Sequence, residues 1–453
     1  MTERRQGPWV LLGAAIAAAW VLLNLDAPLV EDSLFWWVPK GLKAGQTGFP
    51  LSPMGDLPEV MLNSGQAAMG LPQWSGGLPD YAHPPLWYWW IGLWTMAAPS
   101  FLAVKIATLV PAMAAGAGFV ALGRRMGNTA AGFAVFAAPP FMAQLLRPEL
   151  DLPLLALTPW ALIALLDRAW GRFALLSAIA VGCKEPGVLL AVPAVVVAFE
   201  ERKWRIAALV PLLTLGLWAL LHGWMATPER LPDGVSGWLQ DVLTVLVIVF
   251  IAQGRFLLLI GLPEFKRHLP LAAFVVVWLL FFSVVGFFAN RGTEDLYTHV
   301  RYLLPGLAVA VVVLAKNRPW LAGLGFFWLH VASPYGPEAS LFGLDQGRAE
   351  KLAAKDIRAL IESGETLWIG THQAAGLYQP IAGITSEPID GFKVYSVNTQ
   401  ATFVQPGDVV LETSYGEPAG VLLTGRDKSL IKAWTVQDAS VKAWRISGPV
   451  KGP

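Results

Sequence analysis

The stretch RAWGRFALLSAIAVGCKEPGVLLAVPAVVVAFEERKWR, residues 168–205, decides how this chain is organised. Its middle, Phe173 to Phe199, carries no charge other than Lys184 and Glu185, while Arg168 and Arg172 precede it and Arg202, Lys203 and Arg205 follow it. Basic loops stay on the cytoplasmic side of a bilayer. Both ends therefore share a side, and the stretch must cross twice, as a hairpin of two half-length helices, Phe173 to Gly182 and Val188 to Phe199. The turn falls at Lys184-Glu185-Pro186-Gly187, recessed below the outer headgroups because each arm is too short for a full bilayer. A charge held at that depth costs about 2.5–3.5 kcal/mol on insertion scales, so the turn must line a polar cavity.

The same rule orders the rest of the chain. Arg4/Arg5, Arg124/Arg125, Lys266/Arg267 and Lys316/Arg318 each adjoin an apolar run and are read as cytoplasmic. Further crossings are then Trp9 to Leu29, Phe101 to Leu122, Thr129 to Leu146, Leu152 to Leu166, Ile206 to Leu221, Val242 to Leu262, Leu271 to Ala289, Tyr302 to Ala315 and Trp320 to Val331, about eleven with the hairpin. Leu86 to Ala98 is kept outside, because a crossing there would reverse Arg124/Arg125. It holds Trp87, Tyr88, Trp89, Trp90 and Trp94, the composition of a helix lying among headgroups.

Composition agrees: 55% of residues are hydrophobic and only 14% charged, which excludes a soluble protein. A net charge of +1 excludes a general nucleic-acid surface. The single cysteine, Cys183, permits no intramolecular disulfide and reads as a packing residue. The expected fold is mainly α: a transmembrane module over residues 1–333, with a large first external loop at 26–100, and a soluble extracytoplasmic α/β domain at 334–453. Helical periodicity at Arg348 to Ile361 and strand-like runs at Thr366 to Gly370, Asp408 to Glu412 and Val441 to Ile446 support that domain.

With this topology a set of charged motifs converges on the external face. Glu31-Asp32 places two carboxylates where the first span ends, suited to general-base work or to ordinary solvation at a helix end. In His83-Pro84-Pro85 the prolines impose an extended entry into the aromatic helix, fixing His83, although a rigid turn explains them too. Arg147-Pro148-Glu149-Leu150-Asp151 crowds three charges between two spans, and its proline weakens simple pairing of Arg147 with Asp151. Lys184 and Glu185, as neighbours in a helical turn, point apart. Arg301-Tyr302-Leu303-Leu304-Pro305 opens a span with a guanidinium that suits a phosphate or serves as a headgroup anchor. His222 and His268 look incidental, and no His and carboxylate spacing specifies a metal.

Taken in order, these motifs resemble those of the GT-C glycosyltransferases, specifically the protein mannosyltransferase and lipid A aminoarabinose transferase group, over most of the chain. The resemblance implies an enzyme of the bacterial inner membrane and cell envelope, with a cytoplasmic N-terminus. It would move a sugar, with inversion, from a polyprenyl-phosphate donor to a lipid, glycan or protein acceptor. Asp32 or Glu31 would be the base, with Asp151 the second acidic position. Lys184 and Arg301 would hold the lipid phosphate, and His83, Arg147, Glu149, Glu185 and Tyr302 would line the substrate site. The family has Asp before Glu where this chain has Glu31 before Asp32, so the base is open between them, with Asp32 preferred. No cofactor is required by the motifs, and a divalent metal is left open. The competing reading is a lipid-linked sugar flippase or transporter, which should show related halves and charges near the midplane; neither is apparent.

Overall fold

The computed structural model describes residues 7–25, 37–46, 48–49, 83–98, 100–201, 205–222, 262–284, 303–317, 342–370, 391–395, 403–414 and 419–449. In chain order its helices are α1 (Gly7–Leu23), α2 (Val38–Gln46), α3 (Leu86–Ala97), α4 (Phe101–Arg125), α5 (Thr129–Phe133), α6 (Pro139–Gln144), α7 (Asp151–Leu166), α8 (Trp170–Cys183), α9 (Ala191–Glu200), α10 (Val210–His222), α11 (Leu262–Arg267), α12 (Leu269–Val284), α13 (Leu304–Ala315), α14 (Phe342–Glu362) and α15 (Gly420–Leu423). The chain divides into two compact units. One contains residues up to Leu25, Ala82–Trp87 and Lys105–Leu341; the other contains Asp26–Tyr81, Tyr88–Val104 and Phe342–Pro453.

The first unit is a helical bundle. Among the described residues, Leu102–Arg125 is long and apolar enough to cross a membrane, and α1, α7, α8, α10, α12 and α13 include shorter apolar helices of 10–17 residues. Small residues let these helices approach closely, as they do in lipid. A Cβ on Gly13 would lie 2.8 Å from the Gly116 carbonyl oxygen, so α1 and α4 touch backbone to backbone. Trp160 Nε1 donates to the Ala114 carbonyl at 2.8 Å, joining α7 to α4. Gly306 of α13 accommodates Trp278 of α12, whose ring would stand 2.9 Å from an added Cβ.

One expected crossing is built in pieces. Thr129 to Leu146 is not a single helix: α5 passes into a 3-10 turn at Ala134–Ala137, and the chain restarts at α6. Pro139 and Pro140 are the cause. Neither has an N–H to donate, and Ala138 before them is forced to extended backbone, φ −93 and ψ 110.

The hairpin is present. Helix α8 ends at Cys183, Lys184 is extended at φ −160 and ψ 138, and a 3-10 turn over Glu185–Leu190 leads into α9. At 14 residues α8 spans about 21 Å, short of a bilayer core. Its two feet meet, because Arg168 pairs with Glu201 and lies 3.9 Å from Glu200.

The basic loops gather at the end where the feet meet. Arg125 pairs with Asp167 and donates to the Leu166 carbonyl at 3.0 Å. Asn128 Nδ2 donates to the Lys316 carbonyl at 2.5 Å. Lys316 Nζ in turn lies 3.1 Å from Glu264, which also accepts from Arg267 at 2.7 Å. The loops bearing Arg124/Arg125, Arg168, Lys266/Arg267 and Lys316 thus share one end of the bundle, opposite the hairpin turn. The expected segments Val242 to Leu262, save its last residue, and Trp320 to Val331 lie outside the described residues.

In the second unit, α2 crosses the Tyr88–Ala97 part of α3 glycine to glycine: a Cβ on Gly45 would lie 2.7 Å from the Gly92 carbonyl oxygen. The described residues from Phe342 onward form an α/β module. Its strands are β1 (Leu367–Gly370), β2 (Phe392–Tyr395), β3 (Val409–Thr413), β4 (Lys428–Val436) and β5 (Ala439–Ile446), in the order β2-β1-β3-β5-β4. Strand β1 is parallel to β2 and β3, and β5 is antiparallel to β3 and β4. Ala349, Ala353 and Ile357 of α14 pack against Leu367, Ile369, Val409 and Val441 on one face. Trp368, Val410, Leu422 and Ile446 form a second core. The sequence reading anticipated α14, β1, β3 and β5 but not β2 or β4.

Candidate functional site

The hairpin turn and the Arg147–Asp151 segment meet at one place in the bundle. Asp151 is the first residue of α7, where a carboxylate complements the helix dipole. Its Oδ1 accepts from Lys184 Nζ at 2.7 Å, and the two side chains are 5% and 6% exposed. Arg147 and Glu149 are buried beside this pair in sequence. The sequence weighed a pairing of Asp151 with Arg147; the carboxylate instead reaches 33 positions along the chain to Lys184.

Lys184 and Glu185 diverge, as adjacent residues in a turn should. Glu185 Oε2 lies 2.7 Å from His83 Nδ1, with 34% and 19% of the two side chains exposed. This contact draws the His83-Pro84-Pro85 entry against the hairpin, and Leu86 follows it there: a Cβ on Gly182 would come 2.4 Å from Leu86 Cδ1. Trp87 Nε1 then donates to the Pro148 carbonyl at 2.9 Å. The hairpin turn, the proline entry and the loop before α7 therefore interlock through side chains the sequence had singled out.

Lys105 belongs here too and was missed. It is 1% exposed on α4, and its Nζ donates to the Leu146 carbonyl at 3.3 Å. A lone lysine near the start of an apolar helix carries no sequence signal distinguishing it from a headgroup anchor. The site thus holds Lys105, Arg147, Lys184 and His83 alongside Glu149, Asp151 and Glu185. Glu31, Asp32, Arg301 and Tyr302 lie outside the described residues. Among the described residues, no group of three His, Cys, Asp or Glu side chains is placed to hold a metal ion. What the arrangement offers is buried positive charge fixed by carboxylates, suited to binding an anion in a water-poor setting.

A mostly helical chain with apolar helices, buried charges at one end of the bundle, basic loops at the other and a small C-terminal sheet domain has the architecture of a polytopic membrane protein. Its fold is that of ArnT from Cupriavidus metallidurans, whose crystal structure holds undecaprenyl phosphate. The two are similar with a TM-score of 0.51 at 12% identity, covering 99% of this chain and 100% of that one. The resemblance drawn from the ordered motifs, to the group that includes the lipid A aminoarabinose transferases, thus holds at the level of fold. No family model and no curated protein matches the sequence.

Proposed function

We propose that this chain is a membrane glycosyltransferase that moves a sugar from a polyprenyl-phosphate donor to an acceptor at the extracytoplasmic face of the bacterial inner membrane, with inversion. The observation that carries the reading is the union of the Lys184–Asp151 and His83–Glu185 pairs at the end of the bundle opposite the basic loops. It stands on a fold shared with a protein crystallised with undecaprenyl phosphate. About eleven crossings, a cytoplasmic N-terminus and an extracytoplasmic C-terminal domain accord with that arrangement.

In this reading the polyprenyl phosphate is the leaving group, and negative charge grows on it as the glycosidic bond breaks. Cations already in place stabilise that charge without reorganising, so their benefit is largest in the transition state. Lys184, Arg147 and Arg301 supply them, with His83 and Tyr302 lining the same site. Asp151 holds the Lys184 ammonium in position, while Glu185 does the same for the His83 ring and Glu149 completes the polar lining. Asp32, or Glu31 beside it, takes the proton from the acceptor hydroxyl or amine as that atom attacks the anomeric carbon.

The test is incubation of the purified protein with a panel of polyprenyl-phosphate sugars and lipid, glycan or protein acceptors, with release of polyprenyl phosphate as the readout. A transferase releases it. Movement of the lipid-linked sugar across a vesicle bilayer without release would establish a flippase and end the proposal.

A further inference from the structure

Lys105 and Trp87 lie on different helices yet grip the same short piece of backbone. Lys105 Nζ meets the carbonyl of Leu146, Trp87 Nε1 meets the carbonyl of Pro148, and Arg147 is the residue between. The Arg147 amide is itself taken by the Gln144 carbonyl at 3.2 Å, and the Leu152 amide by the Glu149 carbonyl at 3.1 Å. The peptide groups on either side of Arg147, the Leu146 carbonyl and the Pro148 carbonyl, are thus both held, as is its own amide.

The Leu146 carbonyl lies just past the end of α6, where carbonyls have no partner within the helix and a cation is electrostatically welcome. An apolar residue at 105 would fill the same space. A buried ammonium there meets a desolvation cost that packing alone would not demand. We propose that Lys105 and Trp87 are positioning residues for the Arg147–Asp151 segment. They act as two clamps that fix where Arg147 points and where Asp151 meets Lys184. The activity part of this proposal rests on the function proposed above, whereas its conformational part does not.

The experiment uses the full-length protein carrying Lys105→Met, Lys105→Arg or Trp87→Phe. It combines hydrogen–deuterium exchange over residues 146–152 with steady-state transfer from an active polyprenyl-phosphate sugar. Lys105→Met and Trp87→Phe should each speed exchange of the hydrogen-bonded Leu146, Arg147 and Leu152 amides roughly tenfold, the order expected for losing one charge-assisted or buried hydrogen bond. Amides of α8 should be unchanged. The donor KM should rise by a similar factor with the acceptor KM within about twofold, and Lys105→Arg should restore both readouts. Unchanged exchange at the Leu146, Arg147 and Leu152 amides, exchange rising equally through α8, or Lys105→Arg as impaired as Lys105→Met would overturn the proposal. Should Lys105→Met fail to fold, Trp87→Phe decides. Should the wild type transfer no sugar from any donor, the proposed function fails and the exchange measurements alone decide the clamp.

Discussion

Asp151 and Lys184 should be worth little as a pair and a great deal as survivors. At 2.7 Å, with side chains only 5% and 6% exposed, their attraction is about 6 kcal/mol at an effective dielectric near 20. Removing two charges from water costs several kcal/mol for each ion, so the net contribution of the intact pair is close to zero. Taking away one partner leaves the other its burial cost without this attraction. We therefore expect Asp151→Leu or Lys184→Met alone to destabilise the fold by about 3–5 kcal/mol. The double variant should recover most of that loss, giving a coupling energy of at least ~2 kcal/mol in the double-mutant cycle. Reversible SDS-induced unfolding in mixed micelles, followed by tryptophan fluorescence, measures all four corners. Transfer activity should be lost in all three variants, because restored stability does not restore the cation. Single losses below ~1 kcal/mol with additive behaviour would show that the two charges are solvated, and the argument for a buried polar site would fail.

Four other expectations are more local. Asp32→Asn should abolish release of polyprenyl phosphate while leaving expression and thermal stability intact; full activity would remove Asp32 as the base. Gly187→Ala places a Cβ 2.6 Å from the backbone of Ala180 and Val181, so the hairpin turn should be overpacked by about 1–3 kcal/mol and the melting temperature should drop. Burial, then the nearby Lys316 charge and those of Arg125 and Arg267, hold the His268 imidazole below its ordinary value of 6.5 against the opposing pull of Glu264. The unfolded chain consequently binds the proton more readily, and stability should fall as pH is lowered through 6.5. His268→Gln should flatten that part of a melting-temperature profile between pH 7.5 and 5.5, and an unchanged slope would contradict it. Finally, in a Cys183→Ser background, Arg125→Cys and Glu185→Cys should react with an impermeant thiol reagent from opposite sides of the membrane; reaction from one side would break the proposed topology.

The hairpin was legible because charge placement is itself a sequence property: Arg168/Arg172 and Arg202/Lys203/Arg205 must share a side, so a stretch long enough for one tilted crossing has to cross twice. The divergence of Lys184 and Glu185 was equally readable, but their partners were not. Asp151 and His83 are 33 and 102 positions away from them, and only tertiary structure decides which of several nearby charges they meet. The break inside Thr129 to Leu146 was not legible because hydropathy does not register Pro139-Pro140 as one. Lys105 escaped because its partner, the Leu146 carbonyl, lies 41 positions away just past α6, a helix the hydropathy profile did not resolve. In the C-terminal module, β1 and β3 announced themselves through continuous apolar runs. Strand β4 did not, since its residues Lys428 to Ala433 stay exposed and lack the alternation that marks a half-buried strand.

The separation of Asp151 from Lys184 also imposes an order on biogenesis. The carboxylate leaves the ribosome 33 residues ahead of its ammonium, so the beginning of α7 is made before Lys184 can pair with it. The pair seen in the folded bundle forms only once the following hairpin has arrived carrying Lys184. The final burial of α7 is therefore coupled through this pair to that of the α8–α9 hairpin.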